Sequence, residues 1–217
     1  MKISELFERC LKIPYTRTPN HGDFAAEVIN GTLYIYFEHS NGKTDWINNL
    51  DFPTMAYSNS EGKAFLAHRG FLRVFKSITP YLATAIENAK ANKYEKIIIV
   101  GYSHGGALSV LCHEYLWYNL ENMRDKIYTY AIAPPRVIWG RVSHLENRWQ
   151  YLTTVINKGD LVPSLPPRAL GYTHVGKILE IGKKGKYSRV NAHRPENILA
   201  ELLEYESQLN KSKINGH

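Results

Sequence analysis

Lys96-Ile97-Ile98-Ile99-Val100-Gly101-Tyr102-Ser103-His104-Gly105-Gly106-Ala107-Leu108 carries an apolar run into a run of small residues through a single serine. Ile97 to Val100 is continuous and β-branched, as expected of a strand covered on both faces in a parallel sheet. Leu108, Leu111, Cys112, Tyr115 and Leu116 then keep the i, i+3, i+4, i+7, i+8 spacing of a helix face. The serine therefore stands in a strand-to-helix turn, and Gly101 and Gly105 complete the pattern G-x-S-x-G around it. A side chain at either flanking glycine would collide with neighbouring backbone. The bare pattern arises by chance in roughly 5% of chains of this length, so the strand before it and the helix after it carry the reading. Ser103 is predicted to be a nucleophile; the alternative is a tight structural turn.

The pattern on either side repeats strand and helix. Leu33 to Phe37 reads as a second central strand. Phe71, Val74, Phe75, Ile78, Leu82, Ala85 and Ile86 recur at helical spacing, with Pro80 expected to kink or restart that helix. Ile127 to Ala133, Tyr151 to Ile156 and Val175 to Ile181 read as further strands, and Pro195 opens a last helix with Ile198, Leu199, Leu202 and Leu203 as its buried stripe. Strands separated by helices predict an α/β fold with a mostly parallel central sheet. The 217 residues suit one domain, 1–217, and 44% hydrophobic against 22% charged residues is enough to bury a core, which excludes a disordered or low-complexity chain.

A net charge of +7 leaves anionic surfaces open as partners. No nucleic-acid-binding motif accompanies it, so no nucleic acid partner is expected. Lys177, Lys183, Lys184, Lys186 and Arg189 cluster around Gly182 and Gly185. They read as a solvated turn, with peripheral contact to an anionic lipid surface as the functional alternative. Cys10 and Cys112 lie far apart, so neither a disulfide scaffold nor a CxxC metal site is expected, and no metal is called for. Glu5, Glu8 and Arg9 stand where a signal peptide needs an apolar stretch, and no run approaches the ~18 apolar residues of a membrane span. A cytoplasmic protein with no transmembrane segment is the resulting expectation.

A serine hydroxyl attacks only when a histidine takes its proton and a carboxylate holds that histidine. With G-x-S-x-G the chain order is serine, acid, histidine. Asp125 and Asp160 are the aspartates after Ser103. Asp125 lies in the polar stretch Glu121 to Lys126 and reads as a solvated loop residue, whereas Asp160 follows a strand through Asn157-Lys158-Gly159, where ligands of open α/β sheets bind. Of the downstream histidines, His217 ends a polar tail, His174 stands at a strand entry as a structural residue, and His193 precedes the Pro195 helix with reach toward the strand ends. Asp160 and His193 are the predicted acid and base.

Gly101 to Leu108, Val155 to Pro167, Tyr172 to Gly176 and His193 to Leu202 together resemble the class 3, fungal-type lipase family of α/β-hydrolases. Tyr36 to Leu50 resembles that family's Phe-Arg-Gly-Thr/Ser segment followed by Asp-Trp-x-x-Asn-Leu, and Ala67 to Phe71 its His-x-Gly-Phe. The resemblance implies an α/β-hydrolase fold and a triad of Ser103, Asp160 and His193. It also implies an oxyanion hole built from the backbone N–H of His104 and from Ser40. A lid or acyl groove at Trp46, Ile47 and Leu50 follows from it too, the alternative being an ordinary surface helix. The expected activity is hydrolysis of carboxylic acyl esters of lipids, of acylglycerol or phospholipid type, without a cofactor. The alternatives are a carboxylesterase for short soluble esters and a non-catalytic binding module. This sequence departs from the family pattern in having Glu38-His39 for Arg-Gly, Tyr102 for histidine and His104 for leucine.

Overall fold

A computed structural model describes residues 2–18, 22–39, 52–62, 64–140 and 147–214. The chain opens with α1 (Ile3–Lys12), then β1 (Phe24–Ile29) and β2 (Thr32–Phe37). β3 (Thr54–Ser58), β4 (Ala64–His68), α2 (Arg69–Ala89), β5 (Lys96–Tyr102), α3 (His104–Asn119) and β6 (Ile127–Ile132) follow. The remainder holds β7 (Ile138–Trp139), β8 (Leu152–Asn157), β9 (Tyr172–Thr173), β10 (Lys177–Ile181) and α4 (Pro195–Ile214).

The main sheet has the order β1-β2-β5-β6-β8-β10. All its neighbours pair in parallel except β1, which turns back onto β2 in an antiparallel hairpin. The hairpin turn is Asn30-Gly31, with φ of 47° and 70°, the left-handed pair that a two-residue turn demands. A second sheet of order β3-β4-β7-β9 is antiparallel throughout, an element that the sequence reading lacked. Val175 to Ile181 yields a strand only from Lys177, because Gly176 sits at φ 76° against Leu152, where a Cβ would come within 2.3 Å of the Leu152 carbonyl oxygen.

Alternation along β2 and β5 divides the core. Leu33, Ile35, Ile97 and Ile99 face α2 and α3, while Tyr34, Tyr36, Ile98, Val100 and Tyr102 face Leu6, Phe7 and Cys10 of α1 and Ile198 and Leu202 of α4. α2 continues as one helix through Pro80, so the chain does not restart there. The lost backbone bond costs about 3 kcal/mol, but Phe71, Leu72, Phe75, Ile78, Leu82 and Ile86 are all buried and each contributes roughly 1.5–3 kcal/mol. α3 is buried on nearly every side rather than along one stripe, since it lies between the sheet, α2 and the turn at residues 147–149. Cys10 and Cys112 are buried and unbridged.

Candidate active site

The carboxyl ends of β2, β5, β6 and β8 lie side by side: Phe37 is level with Gly101, Gly101 with Ala131, and Ile132 with Val155. Ser103 leaves β5 with φ 55° and ψ −117°, pinned by its N–H to the Ile132 carbonyl at 2.9 Å, and α3 begins at the next residue. Both flanking glycines are required by contact. A Cβ at Gly101 would lie 2.0 Å from the Gly105 carbonyl oxygen, and one at Gly105 would lie 2.3 Å from that of Phe37. Ser103 is only 4% exposed, where an exposed elbow serine would be expected.

His193 Nε2 lies 2.8 Å from Ser103 Oγ, and His193 Nδ1 lies 2.7 Å from Asp160 Oδ2. The Asp160 carboxylate is fully buried and the imidazole is 17% exposed. Its second oxygen accepts the Val162 N–H at 2.8 Å, so the carboxylate is oriented from both sides. Gly159, at φ 95°, turns the chain out of β8 to deliver Asp160. His193 closes the 3₁₀ turn Asn191–His193 just before α4. Asn157, the last residue of β8, donates its side-chain N–H to the Ala192 carbonyl at 2.8 Å, so one strand end steadies both the acid and the base. A neutral imidazole in this position can accept the Ser103 proton while the carboxylate stabilises the resulting cation, which is the chemistry of acyl transfer.

The remaining predicted residues fall as follows. His174 Nε2 donates to the Pro163 carbonyl at 2.8 Å, which supports the segment after Asp160 rather than entering the serine–histidine chain. Asp125 is exposed in the 3₁₀ turn Glu121–Lys126. His104 is the first residue of α3, so its backbone N–H has no helical partner four residues back and stands beside Ser103. Ser40, Trp46, Ile47, Leu50 and His217 lie outside the described residues. Among the described residues no group of three or more His, Cys, Asp or Glu could hold a metal ion.

The departures from the family pattern each have neighbours of their own. Glu38 accepts a hydrogen bond from Arg17, whose guanidinium also donates to Asp23 at 2.7 Å, and the Glu38 N–H donates to the Asp23 carbonyl at 2.9 Å. An acid at 38 thus comes with its own cation. His39 packs 5.4 Å from the ring of Tyr102, and burial holds its imidazole below the ordinary histidine value, with the Glu38 charge opposing and the His193 charge adding. In the basic cluster, Lys186 is tied to buried Glu201 at 2.5 Å and to Glu204 at 3.4 Å, while Lys177, Lys183 and Lys184 are exposed.

A serine presented between a parallel strand and a helix, with the acid delivered from a later strand end and the histidine from the turn before the last helix, defines an α/β-hydrolase. The model of the class 3 lipase family matches residues 34–170, and the chain belongs to that family. A lipase of Rhizomucor miehei is 31% identical over 150 residues, which are 67% of this chain and 40% of the relative. A secreted mono- and diacylglycerol lipase of Malassezia globosa is 28% identical over 127 residues, 56% of this chain and 40% of that one. The chain spans 37 to 40% of the length of the Rhizomucor and Rhizopus lipases that it matches. Among solved structures, the Rhizomucor miehei triacylglyceride lipase superposes with a TM-score of 0.66 at 25% identity, covering 79% of this chain and 66% of the other. A triacylglycerol lipase whose catalytic centre is formed by a serine protease triad gives a TM-score of 0.69 at the same identity and coverage. These relatives overturn one expectation. Those from Malassezia globosa and Fusarium solani are secreted lipases, so the cytoplasmic assignment made from the first nine residues is withdrawn. No described helix is long and apolar enough to cross a membrane.

Proposed function

We propose that the chain is a serine hydrolase that cleaves acyl esters of lipids, with residues 1–217 forming one hydrolase domain. The observation that carries this reading is the continuous hydrogen-bonded chain from Ser103 Oγ through His193 to buried Asp160. Ser103 attacks the ester carbonyl as His193 takes its proton. The His104 N–H, with Ser40 as the second donor, stabilises the oxyanion. The protonated His193 then hands its proton to the leaving alcohol, and water repeats the cycle on the acyl-enzyme. Acylglycerols are the favoured substrates, on the strength of the mono- and diacylglycerol lipases among the relatives. Trp46, Ile47 and Leu50 are assigned to the lid or acyl groove. Peripheral contact with anionic lipid rests on Lys177, Lys183, Lys184 and Arg189, since Lys186 is already tied to Glu201.

A fluorophosphonate probe should label the wild-type chain and leave Ser103→Ala unlabelled. Hydrolysis of long-chain p-nitrophenyl esters should rise above the micelle-forming concentration. Faster turnover of short esters, with no rise at the micelle threshold, would assign a soluble carboxylesterase instead. No labelling of the folded wild type would assign a binding module.

A further inference from the structure

Tyr102 precedes the nucleophile, and its side chain points to the sheet face opposite α3, where it is buried. Phe7 of α1 meets its ring edge-on at 5.3 Å and 65°. His193 lies against that ring at 5.2 Å and 29°, close to stacked. The Tyr102 hydroxyl donates to the backbone carbonyl of His193. The base is therefore touched twice by one side chain, on its ring and on its main chain. That side chain belongs to the strand that presents Ser103, where Tyr102 is locked level with Ile132 of β6.

We propose that Tyr102 is a positioning residue for the general base: through its stacked ring and its hydroxyl, β5 fixes where His193 Nε2 lies relative to the serine that β5 itself presents. This rests on reading Ser103, His193 and Asp160 as a catalytic triad. The Ser103–His193 hydrogen bond must break and re-form during every acyl transfer, so it cannot by itself hold the imidazole in register. The Tyr102 contacts involve no transferred proton and persist through the cycle. Burial, reinforced by the charges of Asp160 and Glu196, pushes the phenol's titration well upward, so it remains a donor throughout the working range. His39, 5.4 Å away and tilted at 48°, packs on the same tyrosine ring.

The test is Tyr102→Phe, which keeps the ring and removes only the hydroxyl. Loss of one hydrogen bond to the base's carbonyl should lower kcat about tenfold with KM changed by less than about twofold. The Nδ1 proton that His193 shares with Asp160, observed at low field by ¹H NMR, should broaden in the variant. Wild-type kcat together with an unchanged Nδ1 proton overturns the proposal. So does a raised KM with an unchanged proton, since that makes Tyr102 a wall of the substrate pocket. If the wild type neither labels with fluorophosphonate nor turns over, the hydrolase reading fails on its own, and the Nδ1 proton still decides for or against Tyr102. Should Tyr102→Phe not fold, Phe7→Leu loosens the ring from its other edge while keeping the hydroxyl: a broadened Nδ1 proton supports the proposal and an unchanged one overturns it.

Discussion

Ser103 holds a backbone conformation, φ 55° and ψ −117°, that costs a residue bearing a β-carbon about 1–3 kcal/mol. Strain and chemistry can be separated there. Ser103→Ala keeps the β-carbon and loses the nucleophile, whereas Ser103→Gly loses both. Both variants should be inactive, and Ser103→Gly should exceed Ser103→Ala in stability by about 1 kcal/mol after the extra unfolded-chain entropy of glycine is subtracted. Coincident urea midpoints would mean that the elbow stores no more strain than the entropy that glycine loses on folding. His193→Ala should lower kcat by several orders of magnitude with KM little changed. His174→Ala should cost stability, about 1–3 kcal/mol for the bond to the Pro163 carbonyl, and keep most turnover. An exchange of those two phenotypes would make His174 the base. The residues proposed as serine, acid and histidine could be picked out because acyl transfer needs scarce residue types in a fixed chain order. Asn157 could not, and Tyr102 showed only as a departure from the family pattern, because their parts consist of contacts with Ala192 and His193 that lie far away in sequence.

Between elements, α3 also closes tightly on the end of β2. A Cβ at Gly105 would lie 2.3 Å from the Phe37 carbonyl oxygen and 2.7 Å from that of Glu38, rigid backbone immediately before Ser40. At Gly106, one residue further along, a Cβ would lie 3.1 Å from the Ile132 carbonyl oxygen and from Pro134 Cβ. Gly105→Ala must push the helix away from the strand and should cost on the order of 3 kcal/mol, with slower fluorophosphonate labelling. Gly106→Ala sets a mild squeeze against a helix-propensity gain of about 1 kcal/mol and should be close to neutral. Equal melting temperatures for the two variants would contradict this reading of the glycines. The long periodic helix α2 could be read from sequence almost to its ends, whereas α4 runs on to Ile214, past the Leu203 at which its stripe was read, and Leu203 is 49% exposed instead of buried. The second sheet could not be read, because β7 and β9 are two residues each and carry no period. The β1–β2 hairpin was readable in principle: Asn30-Gly31 between apolar runs is its signal.

Across the whole molecule, α3 joins the site at one end to a buried polar cluster at the other. His113 is 0% exposed; its Nδ1 sits 2.8 Å from Thr129 Oγ1 on β6 and its Nε2 2.5 Å from the Arg148 carbonyl oxygen. The neighbouring Glu114 carboxylate takes Arg148 Nε at 2.9 Å and the Trp149 indole N–H at 3.2 Å. None of this was visible in the sequence, where His113 and Glu114 read as ordinary positions of a helix with one apolar face. Burial, against the backbone bond to Arg148 and with that residue's positive charge, moves the His113 titration down from 6.5 to about 4. Above pH 6.5 the imidazole is neutral in both the folded and the unfolded chain, and the shift contributes nothing to the pH dependence. Between 6.5 and about 4 the unfolded chain binds a proton that the fold refuses, so stability falls as pH falls. The loss levels off below pH 4, at on the order of 3 kcal/mol. His113→Gln should be less stable than the wild type near neutrality, because the fit to Thr129 and Arg148 is disturbed. It should, however, lose about 2 kcal/mol less than the wild type between about pH 7.5 and 4.5, since the refused proton is gone. Urea unfolding of both chains at the two pH values measures that difference, and parallel losses would show that His113 accepts its proton within the fold.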